Sequence, residues 1–235
     1  MRILYIYPHP DDESFGPAPA ISKQRRQGHG VYLLTLTKGG ATRQRHKYGH
    51  SIEEMGAVRY REMKDVARVL DLSGMTVLDL PDGGLKEMDP RKIEAAIYDE
   101  IERVEPNVVV TYPVHGISGF HDHLVTHAAV KRVFLDRKPS ATYLRRLAFL
   151  TITEEQAGDA EVFHLNGTKL DEIDCVFRVD DVDIKNAHKA LDCYVTFQET
   201  IEKTGIKRFL TNEVYYEIFQ EHHDPPLTDI FCGID

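Results

Sequence analysis

The sequence predicts an α/β fold, a mostly parallel sheet with helices on both faces. Two observations carry that expectation. Short apolar runs alternate with helix-length segments across the first half of the chain. The 235-residue length, with 42% hydrophobic and 29% charged residues, suits one soluble α/β domain with a substantial core. The span 1–235 therefore reads as one domain, less regular from about residue 140.

Residues 3–7 form a short, mostly apolar strand that starts almost at the first residue. Residues 18–27 suit a helix ending at Gly28, and residues 31–37 a second strand rich in branched and leucine side chains. A polar loop covers 38–50. Residues 52–70 form a helix, with Met55, Val58, Met63, Val66 and Leu70 recurring at helical spacing. Residues 75–80 are a third strand, closed by Pro81-Asp82-Gly83-Gly84, a strong turn signal. Asp89 caps the next helix and Pro90 takes its first position. Residues 108–112 are a fourth strand and 123–135 another helix. Beyond that, 143–153 and 174–179 read as strands and 182–201 as one long helix. Residues 209–235 have no clear assignment.

Composition excludes several function classes. A formal net charge of −9 argues against a general nucleic-acid binder, whose affinity comes from neutralising phosphates. No apolar run reaches the length of a membrane span. The first residues lack the apolar stretch and cleavage site of a signal peptide, so a cytoplasmic location is expected. Cys175, Cys193 and Cys232 are widely spaced and read as buried inert thiols rather than a disulfide or thiolate metal site.

In open parallel sheets, ligands bind beyond the carboxyl ends of the strands. The first strand runs directly into Pro8-His9-Pro10-Asp11-Asp12-Glu13, with four ionisable residues in five positions. Imidazole and carboxylate are good zinc ligands, and a catalytic zinc takes three protein ligands plus water. The turn lets His9 and Asp12 face one ion, leaving Asp11 free for proton transfer. The fourth strand is followed by a loop holding His115, Gly116, Gly119, Phe120, His121, Asp122 and His123, at the same end of the sheet. Gly116 and Gly119 make that loop pliable. Asp122 is placed to orient a neighbouring imidazole, as outer carboxylates do in zinc sites. No Gly-x-Gly-x-x-Gly follows the first strand, which sets aside dinucleotide binding.

The His-Pro-Asp-Asp-Glu string, followed about a hundred residues later by Asp122-His123, resembles the LmbE-like/PIG-L deacetylase family. The resemblance covers roughly the first 135 residues well and the rest loosely. It implies a Rossmann-like sheet and a single Zn2+. His9, Asp12 and His123 fall on the zinc ligands and Asp11 on the general base. Arg59, in Arg59-x-x-Glu62, resembles a substrate-contacting arginine, and Asp82 an aspartate reaching the pocket. A surface ion pair for Arg59 and a plain turn for Asp82 are the alternatives. The family acts on N-acetylglucosaminyl conjugates, so the partner implied is such a small molecule. A homo-oligomer is compatible with all of this.

The sequence departs from the family pattern at two places. Phe120 stands where the family commonly has a histidine that stabilises the oxyanion, and His121 is the candidate to replace it. Gly40, in Thr37-Lys38-Gly39-Gly40, stands where the family has a glutamate. His127 lies one turn after His123, but three ligands already fill a catalytic zinc's protein positions. His222-His223-Asp224 reads as a polar loop with a route to the rim left open. The basic loop 42–50 reads either as a solvated loop or as a mobile rim for an anionic group. The expected activity is zinc-dependent removal of an acetyl group from an N-acetylated amino sugar. The rival is an altered member that only binds sugar.

Overall fold

The computed structural model describes residues 1–234. Seven strands form one sheet in the order β3-β2-β1-β4-β5-β7-β6. They are β1 (Arg2–Tyr7), β2 (Gly30–Thr37), β3 (Gly74–Leu80), β4 (Val108–Thr111), β5 (Arg146–Thr151), β6 (Cys175–Arg178) and β7 (Glu213–Ile218). The strands β1 to β5 pair in parallel, while β7 runs antiparallel to both β5 and β6. The mostly parallel α/β expectation holds.

Central strands of such sheets are apolar on both faces because both are covered. In β1, Ile3, Tyr5 and Tyr7 join one apolar cluster and Leu4 and Ile6 another, all fully buried. The first cluster packs α1 (Ala18–Arg26), α2 (Ile52–Val69) and α6 (Asp181–Cys193) against the sheet. The second packs α3 (Pro90–Val104) and α4 (His121–Arg137) against the other face. Burying each Leu or Ile side chain contributes about 1.5–3 kcal/mol, so the two layers dominate cohesion.

Helix boundaries follow local chemistry. Ser51 accepts the Glu54 N–H while the Glu54 carboxylate accepts the Ser51 N–H, fixing the start of α2. Asp89 accepts the Arg91 N–H with Pro90 in the first turn of α3, as expected. Two expectations are corrected. Helix α4 starts at His121 rather than His123, because Phe120 is extended and serves as the N-cap. The single helix over 182–201 is two, α6 and α7 (Gln198–Thr204), separated by a 3-10 turn at Val195–Phe197. The break has a cause. The N–H and hydroxyl of Thr196 both bond the carboxylate of Glu62 on α2, at 2.7 and 2.9 Å. The cysteines carry no disulfide, but only Cys175 is buried, and Cys232 is exposed.

Candidate metal and active site

The neighbours β1 and β4 end side by side, and each is followed by a chemistry-bearing loop. Donor atoms of His9, Asp12 and His123 all lie within 4.8 Å of one another. His9 Nδ1 is 3.6 Å from Asp12 Oδ2, and His123 Nε2 is 3.6 Å from Asp12 Oδ1. Both imidazoles are anchored by their other nitrogen. His9 Nε2 lies 3.1 Å from Asp122 Oδ2 and His123 Nδ1 lies 2.9 Å from the Gly116 carbonyl. Such anchoring fixes the tautomer and aims the free nitrogen. Asp122 is thus the orienting carboxylate expected, and it acts on His9 of the other loop. It is itself held by the N–H groups of Gly83 and Leu85.

Gly116 is required by close approach rather than pliability. Its φ is +64°, and a Cβ there would sit 2.9 Å from the Cβ of His123. The Tyr112 ring stacks on His123 at 4.2 Å and 7°, and its hydroxyl donates to Asp12 at 2.8 Å. That contact fixes both position and plane of the imidazole.

Electrostatics favour a cation. Burial opposes charge on His9, but hydrogen bonds to Asp12 and Asp122 and the charges of Asp12 and Asp82 lift its pKa to about 10. Burial opposes ionisation of Asp12, yet the charge of His123 and hydrogen bonding from His9 hold it below the usual carboxylate range. Burial lowers the pKa of His123 against the pull of Asp12, which favours the neutral form that can donate a lone pair. Two imidazoles and one carboxylate with an open side suit zinc, and also iron. A second group, His9, Asp82 and Asp122, has the same spacing. It presents the His9 nitrogen that Asp122 already holds, so the first group is the better metal site.

Asp11 is set apart from these donors. Its φ is +84°, a conformation that costs a non-glycine residue energy and persists only when its surroundings enforce it. Enforcement comes from two directions. Its N–H donates to the Tyr194 hydroxyl, which donates to buried Glu13. Its carboxylate accepts from Arg59 at 2.6 Å. Burial raises the Asp11 pKa to about 6, with Arg59 opposing and Asp12 assisting.

The structure brings Arg59 to the site, but only 3% exposed. It reaches the Pro10 carbonyl as well as Asp11, under the ring of Phe197 at 4.5 Å. The surface ion pair is excluded, and its polar contacts are with the protein. Asp82 is no plain turn residue. It lies 3.3 Å from His9 and accepts the Ala41 N–H at 2.7 Å. Gly40 leaves no room for a side chain, since a Cβ would collide with the Ile52 carbonyl. His121 is exposed on the first turn of α4 and lines the cavity over the cluster. Phe120 is 52% exposed beside it.

The remaining histidines separate cleanly. His127 is buried against Phe149, bonds the Tyr112 carbonyl at 2.9 Å and joins no donor cluster. His223 bonds Glu221 beyond the end of β7. That end lies beside the start of β5, at the far edge from the site, so no route to the rim exists. The basic loop is docked. Gln44 bonds Thr200 and Lys47 pairs with Glu199, so of its basic side chains only Arg43 lines the cavity. Sequence reasoning missed Tyr194 and Phe197, both placed by the break between α6 and α7. The run Tyr194-Val195-Thr196-Phe197 is a weak helix former, and was the available signal.

The comparisons fit this geometry. The profile of the PIG-L family, described as GlcNAc-PI de-N-acetylase, matches residues 4–134. The chain belongs to the PIG-L family. Within it, a probable N-acetyl-alpha-D-glucosaminyl L-malate deacetylase 2 of Bacillus subtilis (strain 168) is 28% identical over 163 residues, covering 68% of this chain and 73% of that one. A 1D-myo-inositol 2-acetamido-2-deoxy-alpha-D-glucopyranoside deacetylase of Rhodococcus opacus (strain B4) is 28% identical over 264 residues, covering 94% of this chain and 90% of its own. Among solved structures, a triple mutant of a deacetylase from the teicoplanin biosynthetic pathway superposes with a TM-score of 0.74 at 16% identity, covering 95% of this chain and 99% of that one. That last likeness speaks for the fold. No helix among the described residues is long and apolar enough to cross a membrane.

Proposed function

We propose that this PIG-L family protein is a zinc-dependent hydrolase that removes the acetyl group from an N-acetylated amino sugar. The observation that carries this reading is the His9, Asp12 and His123 cluster, with both imidazoles anchored from behind and a strained, partly buried Asp11 beside it. The relatives named above are deacetylases of N-acetylglucosaminyl conjugates, which supports the substrate class. The donor set fits the ion, because the carboxylates of Asp11, Asp12, Asp82 and Asp122 line one cavity end, where Arg59 pairs with Asp11 alone.

His9, Asp12 and His123 would hold the zinc, which supplies Lewis acidity toward water and the amide carbonyl. Asp11 takes the proton from the attacking water and returns it to the leaving nitrogen. Its pKa of about 6 suits both directions near neutral pH. Arg59 fixes the Asp11 carboxylate and keeps it largely ionised. His121 supplies a hydrogen bond to the tetrahedral oxyanion from the first turn of α4. Asp82 orients the sugar.

The test is metal analysis together with acetate release from N-acetylglucosamine conjugates. One divalent ion per chain is expected, with activity abolished by chelation and restored by zinc. Full activity in protein shown to be metal-free would overturn the reading. A zinc-loaded protein that binds the conjugate without releasing acetate would favour the sugar-binding alternative.

A further inference from the structure

The cavity over the metal-ligand cluster has a volume of about 770 Å³. Pockets for whole drug-sized molecules span ~300–1,000 Å³, so this one is larger than an acetyl group and a single sugar ring require. One end of it holds His9, Asp11, Asp12 and Asp82; elsewhere Arg43, Gln156, Glu161, Thr200 and Glu213 are interspersed among apolar side chains. Away from the cluster apolar surface predominates: Ile117 from the loop after β4, Leu150 from β5, Val162 and Phe163 after α5 (Glu154–Gly158), Phe209 ahead of β7 and Val214 within it.

Two rings mark this wall. Phe120 and Phe163 are 52% and 44% exposed, and they meet edge to face at 6.3 Å and 86°. Phe120 also sits edge-on to His123 at 5.6 Å. The apolar wall therefore begins one ring away from a metal ligand. Adjoining exposed apolar side chains at a pocket mark a surface that a ligand covers. The charges beyond the cluster do not form an anion site. Arg43 is there, but so are Glu161 and Glu213.

Building on the deacetylase reading, we infer that the substrate carries an apolar chain or ring beside its amide, which lies along Phe120, Phe163 and the wall behind them. The chain has two sources, the aglycone of the sugar or the acyl group itself. The shared chemistry is an apolar extension from a polar amino-sugar amide.

The experiment compares three substrates on the zinc-loaded protein: methyl and octyl glycosides of N-acetylglucosamine, and the methyl glycoside of N-octanoylglucosamine. Burying one methylene is worth about fourfold. The seven extra methylenes of the octyl glycoside, or the six of the octanoyl amide, about half buried, should raise kcat/KM by about 10²-fold for one of these two substrates. Which one gains identifies the side on which the chain enters. Phe163→Ser, an exposed position tolerant of change, should cut the octyl-to-methyl ratio about fivefold. Equal kcat/KM on all three substrates overturns the inference while leaving the deacetylase reading intact. If none is hydrolysed, that reading fails, and calorimetry still decides the inference. Octyl glucosaminide should bind at least tenfold tighter than methyl glucosaminide, and equal affinity overturns it.

Discussion

Nε2 of His9 lies 3.1 Å from Oδ2 of Asp122, which ties the loop after β1 to the first turn of α4. The contact aims Nδ1 of His9 at Asp12. Asp122→Ala should weaken zinc binding about 10–100-fold, the usual effect of losing an outer carboxylate. Titration against a competing chelator measures this. Unchanged affinity would assign Asp122 to folding alone.

Asp11 and Asp12 are adjacent, yet the proposed mechanism gives them different work. Asp12→Ala should lose the metal, whereas Asp11→Asn should retain it and lose turnover. Metal content and kcat measured on the same samples separate the two. Equal metal loss in both variants would remove Asp11 from the role of base.

The pH profile follows from Asp11 and Arg59. The base role proposed for Asp11 requires its ionised form, so kcat/KM should fall as pH drops through about 6. Arg59 lowers the Asp11 pKa from the opposing side, so Arg59→Met should move this acid limb to higher pH. If Arg59 instead only grips substrate, KM rises and the limb stays in place.

His121→Ala should lower kcat by about 10²–10³, the cost of one oxyanion donor, with metal content unchanged. A near-wild-type kcat would make His121 a solvent-facing residue and leave the oxyanion without a side-chain donor from α4.

Stability should depend on Asp183, far from the chemistry. Its fully buried carboxylate accepts from Arg26, Ser22 and the Asp180 N–H. Burial opposes its ionisation, but the Arg26 hydrogen bonds outweigh this and hold its pKa below the usual carboxylate range. A depressed folded pKa contributes stability above the unfolded value of about 3.9, lost as pH falls through the folded one. Asp183→Ala should cost about 1–2 kcal/mol in urea unfolding at neutral pH, because Ser22 and the Asp180 N–H lose their acceptor while Arg26 keeps Asp180 and solvent. A smaller loss at pH 3 than at pH 7 is the signature, and an equal loss at both would sink the electrostatic account.

The first half of the fold was legible because its signals are local. Strands β1, β2 and β4 are largely apolar runs, β3 is closed by a strong turn signal, and α3 carries its own cap at Asp89-Pro90. The cluster of His9, Asp12 and His123 was legible because each lies just past a strand end, where topology brings loops together. Arg59 was legible as important but not in its contacts. Its partners, Asp11 and the Phe197 ring, lie 48 and 138 positions away in sequence, and no periodicity reports such distances. The break between α6 and α7 was hidden for the same reason. A carboxylate on α2, 134 positions away, captures Thr196 and turns a weak helix former into a break.

The donor cluster and Asp11 lie between positions 9 and 123, while most of the apolar wall is drawn from residues 150–214. On the proposed roles, reactivity and selectivity are written in separate stretches of the chain. The segment 159–165 is the natural cassette to exchange between family members. Its seam is Asn166, whose N–H and side-chain amide both grip the Ile117 carbonyl, at 2.8 and 3.1 Å. A graft that keeps this clasp should inherit the donor's taste in conjugates while the recipient's catalytic residues stay in register.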